Sequence, residues 1–176
     1  MHISDRGEVV QRALEFATRA HEGQVRKYSE VPYINHPVQV MVIVSTVEHD
    51  DAMLAAALLH DVVEDTDHTI DDVRAEFGDD VAELVFALTD VSTMTDGNRQ
   101  ARKAKDRAHT AKGSPRAKTI KLADLISNSV DIRANDPDFA KIYMAEKLLL
   151  LGVLQEGDKT LLGNALHLLG YYHETR

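Results

Sequence analysis

Residues 58–66 read Leu58-Leu59-His60-Asp61-Val62-Val63-Glu64-Asp65-Thr66. They continue the apolar run Met53 to Leu59, so a segment with the composition of a core helix ends in an imidazole and three carboxylates. Burying such groups without partners is costly for each of them. Either the segment breaks to the surface here, or something cationic sits among them. On a helix, residues three or four apart share a face, which pairs His60 with Glu64 and Asp61 with Asp65. Neighbouring residues point about 100° apart at roughly 3.6 residues per turn. His60 and Asp61 therefore flank a ridge over which one ion could be touched by both, if other segments close the cage. Glu64 and Asp65 then lie one turn on, about 5–6 Å away. That offset suits groups that handle a water or a leaving group without ligating the ion.

Working outward, the chain reads as helix after helix. Val9, Val10, Ala13, Leu14, Ala17 and Ala20 recur at helical spacing, with Ser4 or Asp5 as the cap. Gly23 to Asn35 is polar and turn-rich. Pro37 suits the first turn of a second helix, whose run Val38 to Val47 is β-branched enough to be ambiguous with a strand. A third helix starts at Asp50 or Asp51 and runs on into the 58–66 motif. Thr69-Ile70-Asp71-Asp72 is a capping signal for a short helix ending at Gly78. Another helix, begun by Asp79 or Asp80, carries Val81, Leu84, Val85 and Leu88. Asp90 to Asn98 is a polar loop. The basic segment that follows holds Arg99, Arg102, Lys103, Lys105, Arg107, Lys112 and Arg116, and reads as a solvated face. Ser114-Pro115 caps a helix through Ile126 and Val130, Pro137 opens the next, and Asp158 caps the last. No window alternates persuasively, and there are no repeats or heptads. The expectation is one all-α domain over residues 1–176, a helical bundle.

Composition narrows the chemistry. At 176 residues the chain is long enough for a sizeable core. It has no Cys, which excludes disulfides and thiolate metal sites. Any metal must be held by His, Asp, Glu or main-chain oxygens, a donor set for Mn²⁺, Mg²⁺, Fe²⁺ or Zn²⁺. The net charge of −9 argues against general nucleic-acid binding. No apolar run approaches the roughly 20 residues a membrane span needs, and the N-terminus has no secretory pattern, so a cytoplasmic protein away from membranes is expected. The sequence leaves the oligomeric state open, a homodimer included.

Two further places could complete a cage. Asn35-His36-Pro37 puts a histidine at a helix start, although a lone histidine more often fills a turn or core. Lys121-Leu122-Ala123-Asp124 puts an acid in an apolar stretch, with Asn128 four residues on and Lys121 three before. Lys121 alone could partner it.

At these residues the sequence resembles a known family. His-Asp in tandem, with a histidine upstream and an aspartate downstream, is the signature of HD-domain phosphohydrolases. Arg26-Lys27 with Pro32-Tyr33-Ile34-Asn35-His36-Pro37, then Ala57 to Thr66, then Lys121 to Asp124 with Asn128, look like the hydrolase domain of the RelA/SpoT alarmone enzymes. The likeness covers roughly residues 8–170 and is strongest to the stand-alone small alarmone hydrolases of the metazoan SpoT-homologue type. It implies an HD-domain helical bundle, with His36, His60, Asp61 and Asp124 as Mn²⁺ ligands and Glu64 and Asp65 as the catalytic acidic pair. It also implies Arg26, Lys27 and Asn128 as nucleotide contacts. The implied reaction removes the 3′-pyrophosphate from guanosine tetra- or pentaphosphate (ppGpp or pppGpp, the alarmones of the stringent response), giving GDP or GTP and pyrophosphate. Other divalent ions could serve in place of Mn²⁺.

One stretch departs from the alarmone pattern. Between Asp124 and Asn128 stand Leu125, Ile126 and Ser127, where those enzymes carry a basic residue, Leu, and an aromatic or His. Leu125 removes a charge and Ser127 a ring. The alternative reading keeps the metal and changes the substrate to another phosphorylated nucleotide, such as NADPH or a nucleoside monophosphate. A third reading, a non-catalytic nucleotide-binding scaffold, predicts a degraded motif that this sequence does not have.

Overall fold

A computed structural model of the chain describes residues 7–174, and side chains through residue 170. The expected cap at Ser4 or Asp5 lies outside the described residues. The fold is all-α: the described residues form α1 (Glu8–Ala20), α2 (Asn35–Val44), α3 (Asp51–Leu59), α4 (Val62–Asp65), α5 (Ile70–Phe77), α6 (Asp79–Leu88), α7 (Arg99–Thr110), α8 (Pro115–Asn135), α9 (Pro137–Leu151) and α10 (Lys159–Glu174). An isolated antiparallel bridge, Val25 to Pro32, is the extended pairing recorded among them. The chain divides into two compact units, Met1–Thr89 and Asp90–Arg176.

In the first unit α3 is the central element. Met53, Ala55, Ala56, Ala57, Leu58 and Leu59 are all buried, as expected of a helix that is apolar on every side. It packs against α1, α2 and α6, while α5 packs on α6. The β-branched run after Pro37 is helical rather than extended: Pro37, Val40 and Val44 are buried at spacings of three and four, a stripe that a strand would split between Pro37 and Val40. The start signals are used as written. Asp50 accepts from Met53 N at 2.9 Å, and Thr69 with Asp72 forms a full capping box. Gly78, at φ 85°, joins α5 to α6 in a conformation that L side chains resist.

One expectation fails. The helix through 53–66 is not continuous: α3 stops at Leu59, and α4 is a single turn. His60 and Asp61 form the junction, both in right-handed helical conformation. The His60 ring takes the Ala57 carbonyl through Nδ1 at 2.8 Å. The turn resumes at once, with Asp65 N donating to Asp61 O at 2.8 Å. The i,i+4 relation of Asp61 and Asp65 therefore survives the break.

In the second unit α8 packs on α9 and α10. Ser114 accepts from Ala117 N ahead of Pro115, and Asp158 Oδ1 accepts from Thr160 N and Leu161 N. The loop after Asp90 contains a 3₁₀ turn, Met94–Asp96. The basic segment is more engaged than a solvated face would be. Arg99 grips Glu146, Lys103 pairs with Asp90 and lies 3.5 Å from Asp106, and Lys105 takes both oxygens of Asp96.

Candidate metal centre

In the first unit α2 delivers His36 and the α3–α4 junction delivers His60 and Asp61. Both histidines are 1% exposed. His36 sits in the first turn of α2, fixed by its N–H to Tyr33 O at 2.9 Å and by Pro37 behind it. Its ring meets that of His60 edge to face, with centroids 5.2 Å apart. Asp61 Oδ2 lies 3.2 Å from His60 Nε2 and 3.6 Å from His36 Nε2.

This arrangement fits a divalent cation. His60 Nδ1 faces a carbonyl, which can only accept, so the ring proton belongs on Nδ1. Nε2 then turns a lone pair toward a carboxylate oxygen, a repulsive contact that a cation between them makes favourable. At metal–ligand distances of about 2.0–2.2 Å, adjacent ligands of one ion sit about 3.0–3.6 Å apart. The two separations from Asp61 Oδ2 fall in that interval. The carbonyl behind Nδ1 is the kind of outer partner that fixes a ligating imidazole.

Asp124 belongs to the second unit, on α8. It is buried. Asn128 Nδ2 donates to Asp124 Oδ1 at 2.6 Å, and Lys121 Nζ stands 3.4 Å from Oδ2. The Asn128 amide, expected at the nucleotide, orients this carboxylate through that hydrogen bond. Leu125 is 1% exposed and Ser127 is also buried. The two departures from the alarmone pattern are packed inside the unit rather than displayed to solvent.

The acidic pair of α4 is exposed at the residue level. Burial of its carboxyl group, then the Asp61 charge, raises the Asp65 pKa above the ordinary carboxylate range. Arg26 and Lys27 lie on the loop between α1 and α2. Arg26 N donates to Val31 O at 3.0 Å, and Lys27 Nζ reaches the Tyr28 hydroxyl at 2.9 Å. The residue that sequence reasoning passed over is Tyr33. Its hydroxyl donates within 2.7 Å of Asp61 Oδ2 and 3.0 Å of Asp65 Oδ2. Burial first, then Asp61, holds its phenol protonated far beyond the usual range. The only signal was its place between Pro32 and His36 in the motif.

The HD domain family matches residues 13–149. The chain belongs to the HD domain family. It is 44% identical over 127 residues to the guanosine-3′,5′-bis(diphosphate) 3′-pyrophosphohydrolase of Drosophila melanogaster, covering 70% of this chain and 69% of that one. The Homo sapiens protein of the same name is 42% identical over 129 residues, covering 72% and 70%. A solved structure described as a metazoan ortholog of SpoT that hydrolyzes ppGpp superposes with a TM-score of 0.79 at 35% identity, covering 90% of this chain and 94% of that one. An HD hydrolase with this His/Asp group implies a divalent metal. No helix among the described residues is long and apolar enough to cross a membrane.

Proposed function

We propose that this chain hydrolyses guanosine tetra- and pentaphosphate at the 3′ position, releasing pyrophosphate and GDP or GTP. The observation that carries it is the convergence of His36, His60 and Asp61 around one carboxylate oxygen, with Asp65 tied to the same oxygen's hydroxyl partner. In this reading His36, His60, Asp61 and Asp124 hold the ion, Mn²⁺ by preference. The inclusion of Asp124 is supported by a family match that runs through both units. Residues 1–176 then act as one HD hydrolase domain of the cytoplasm, on a small nucleotide rather than a nucleic acid or a membrane.

When bound, the ion lowers the pKa of a water and neutralises charge on phosphorus. The residues do the rest. Asp65, with Glu64 beside it, takes the proton from the attacking water as its oxygen bonds to the α-phosphorus of the 3′-diphosphate, the one attached to the ribose. The bond from that phosphorus to the ribose 3′ oxygen breaks, and one of the two acids returns a proton to the departing oxygen. Arg26 and Lys27 bring positive charge to an acidic protein, and the Arg26 guanidinium suits stacking on a purine.

The test is pyrophosphate release from guanosine tetraphosphate by purified protein with Mn²⁺, beside a panel including NADPH and nucleoside monophosphates. His60→Ala and Asp61→Ala should bring release to background. Phosphate from NADPH, with no pyrophosphate from the alarmone, would replace this substrate with the other.

A further inference from the structure

Tyr33 belongs neither to the metal set nor to the acidic pair, yet its hydroxyl lies within hydrogen-bond reach of one member of each. It is not free to leave. Its ring lies against His21, with centroids 4.8 Å apart, and edge-on to His36 at 6.0 Å. Its N–H donates to Gln24 O at 2.9 Å, and its carbonyl accepts from His36 N at 2.9 Å. The bridge from Val25 to Pro32 closes the loop between them.

The same loop reaches α4 a second time. Gln24 Nε2 donates to the Asp65 carbonyl at 2.9 Å. The other end of that amide, Oε1, is an acceptor and takes His21 Nδ1 at 2.8 Å. His21 is 3% exposed, so a buried ring supports both Gln24 and Tyr33. Asp65 is thereby held at its main chain and at its carboxylate by two residues of one loop.

A ligating carboxylate without an outer partner can rotate and exchange its two oxygens. A hydroxyl donating to Oδ2 stops that rotation. A phenol shared by two carboxylates also sets the distance between them. We propose that Tyr33, braced by His21 and Gln24, is a positioning residue: it fixes the Asp61 carboxylate toward the cation and Asp65 at one set distance from it. The kinetic part rests on the pyrophosphohydrolase reading; the metal-binding part does not.

The test uses Tyr33→Phe in the full chain, which keeps the ring on His21 and removes the hydroxyl. Calorimetric titration with Mn²⁺ alone should show affinity weakened roughly 10-fold or more, and kcat on guanosine tetraphosphate at saturating Mn²⁺ should fall roughly 10–100-fold. KM should stay within about threefold, and the variant should remain folded in chelator with only a modest fall in melting temperature, since one outer hydrogen bond is lost and no packing. A folded variant with parental Mn²⁺ affinity and parental kcat overturns the proposal. Should the parent itself leave the nucleotide intact, the substrate reading fails while the Mn²⁺ titration still decides the role of Tyr33. Should Tyr33→Phe not fold, His21→Phe takes its place. It keeps a ring under Tyr33 but loses the bond to Gln24, with about a fivefold fall in kcat expected and parental kcat again overturning the idea.

Discussion

Two acidic side chains, the partly buried Asp61 in the first unit and the buried Asp106 in the second, teach opposite lessons about how a carboxylate is accommodated. Asp106 is 4% exposed and surrounded by donors. Its Oδ1 accepts from Val91 N and Ser92 N at 3.1 and 2.8 Å, its Oδ2 accepts from the Ser92 hydroxyl at 3.0 Å, and Lys103 stands 3.5 Å away. Its role is to tie the loop after α6 to α7. Asp61 also accepts one good hydrogen bond, from Tyr33, but its Oδ2 otherwise faces two imidazole nitrogens. One carboxylate is satisfied by the protein. The other, in the proposed reading, turns an oxygen toward the cation site.

The comparison can be broken by exchanging the damage. Asp61→Asn should abolish pyrophosphate release and the rise in melting temperature that Mn²⁺ gives the parent through binding only the folded state. In chelator its stability should equal or exceed the parent's. Asp106→Ala should do the reverse. It strands two backbone N–H groups and should cost about 2–3 kcal/mol, below the roughly 3–5 kcal/mol of a fully buried broken pair because Lys103 keeps contact with water. Its Mn²⁺ response should survive. Urea unfolding with and without Mn²⁺ measures all four combinations. An Asp61→Asn variant destabilised as much in chelator as Asp106→Ala would make Asp61 a structural acid too.

How far the sequence foretold this follows from the reach of each interaction. The caps at Asp50, Thr69, Ser114 and Asp158 were legible because their partners lie within one turn. The His60-Asp61 pair was legible as a conflict between an apolar run and its charges. His36 and Asp124 needed the family resemblance, since a lone histidine or acid has an ordinary alternative. The break after Leu59 was hidden, because it shows in a side chain turning back onto a carbonyl rather than in a Gly or Pro. Tyr33 was hidden for a different reason: 28 residues separate it from Asp61, and no periodicity carries over such a loop. Lys103 and Lys105 read as solvent-facing because their acidic partners, Asp90 and Asp96, stand in a loop whose path only tertiary structure fixes.

A middle-sized effect concerns the packing of the second unit. A Cβ on Gly157 would meet Leu122 Cδ1 at 2.8 Å, the Lys118 carbonyl carbon at 3.1 Å and Leu154 O at 3.2 Å. Two of these three are backbone atoms that cannot step aside. Gly157→Ala should therefore cost about 1–3 kcal/mol through overpacking against α8. Its chemical denaturation midpoint should fall while the Mn²⁺-induced shift persists. An unchanged midpoint would mean that α8 yields there.

The smallest effect concerns a carboxylate at the surface. Lys105 holds Asp96 through both oxygens at 2.8 Å, and the Thr93 N–H donates to Oδ2 at 2.7 Å. The lysine first, then the backbone donor, brings its pKa down to about 2, against about 3.9 for an unperturbed aspartate. A lowered folded-state pKa means that the charged form favours the fold. The contribution is complete above about pH 4 and fades as pH falls through about 2. Asp96→Asn should therefore melt below the parent by a constant small margin from neutrality down to about pH 4. The two curves should converge between about pH 4 and 2. Added salt should narrow the margin at neutral pH, because an exposed ion pair is screened. A margin independent of both pH and salt would assign the effect to the Thr93 turn alone and remove Lys105 from it.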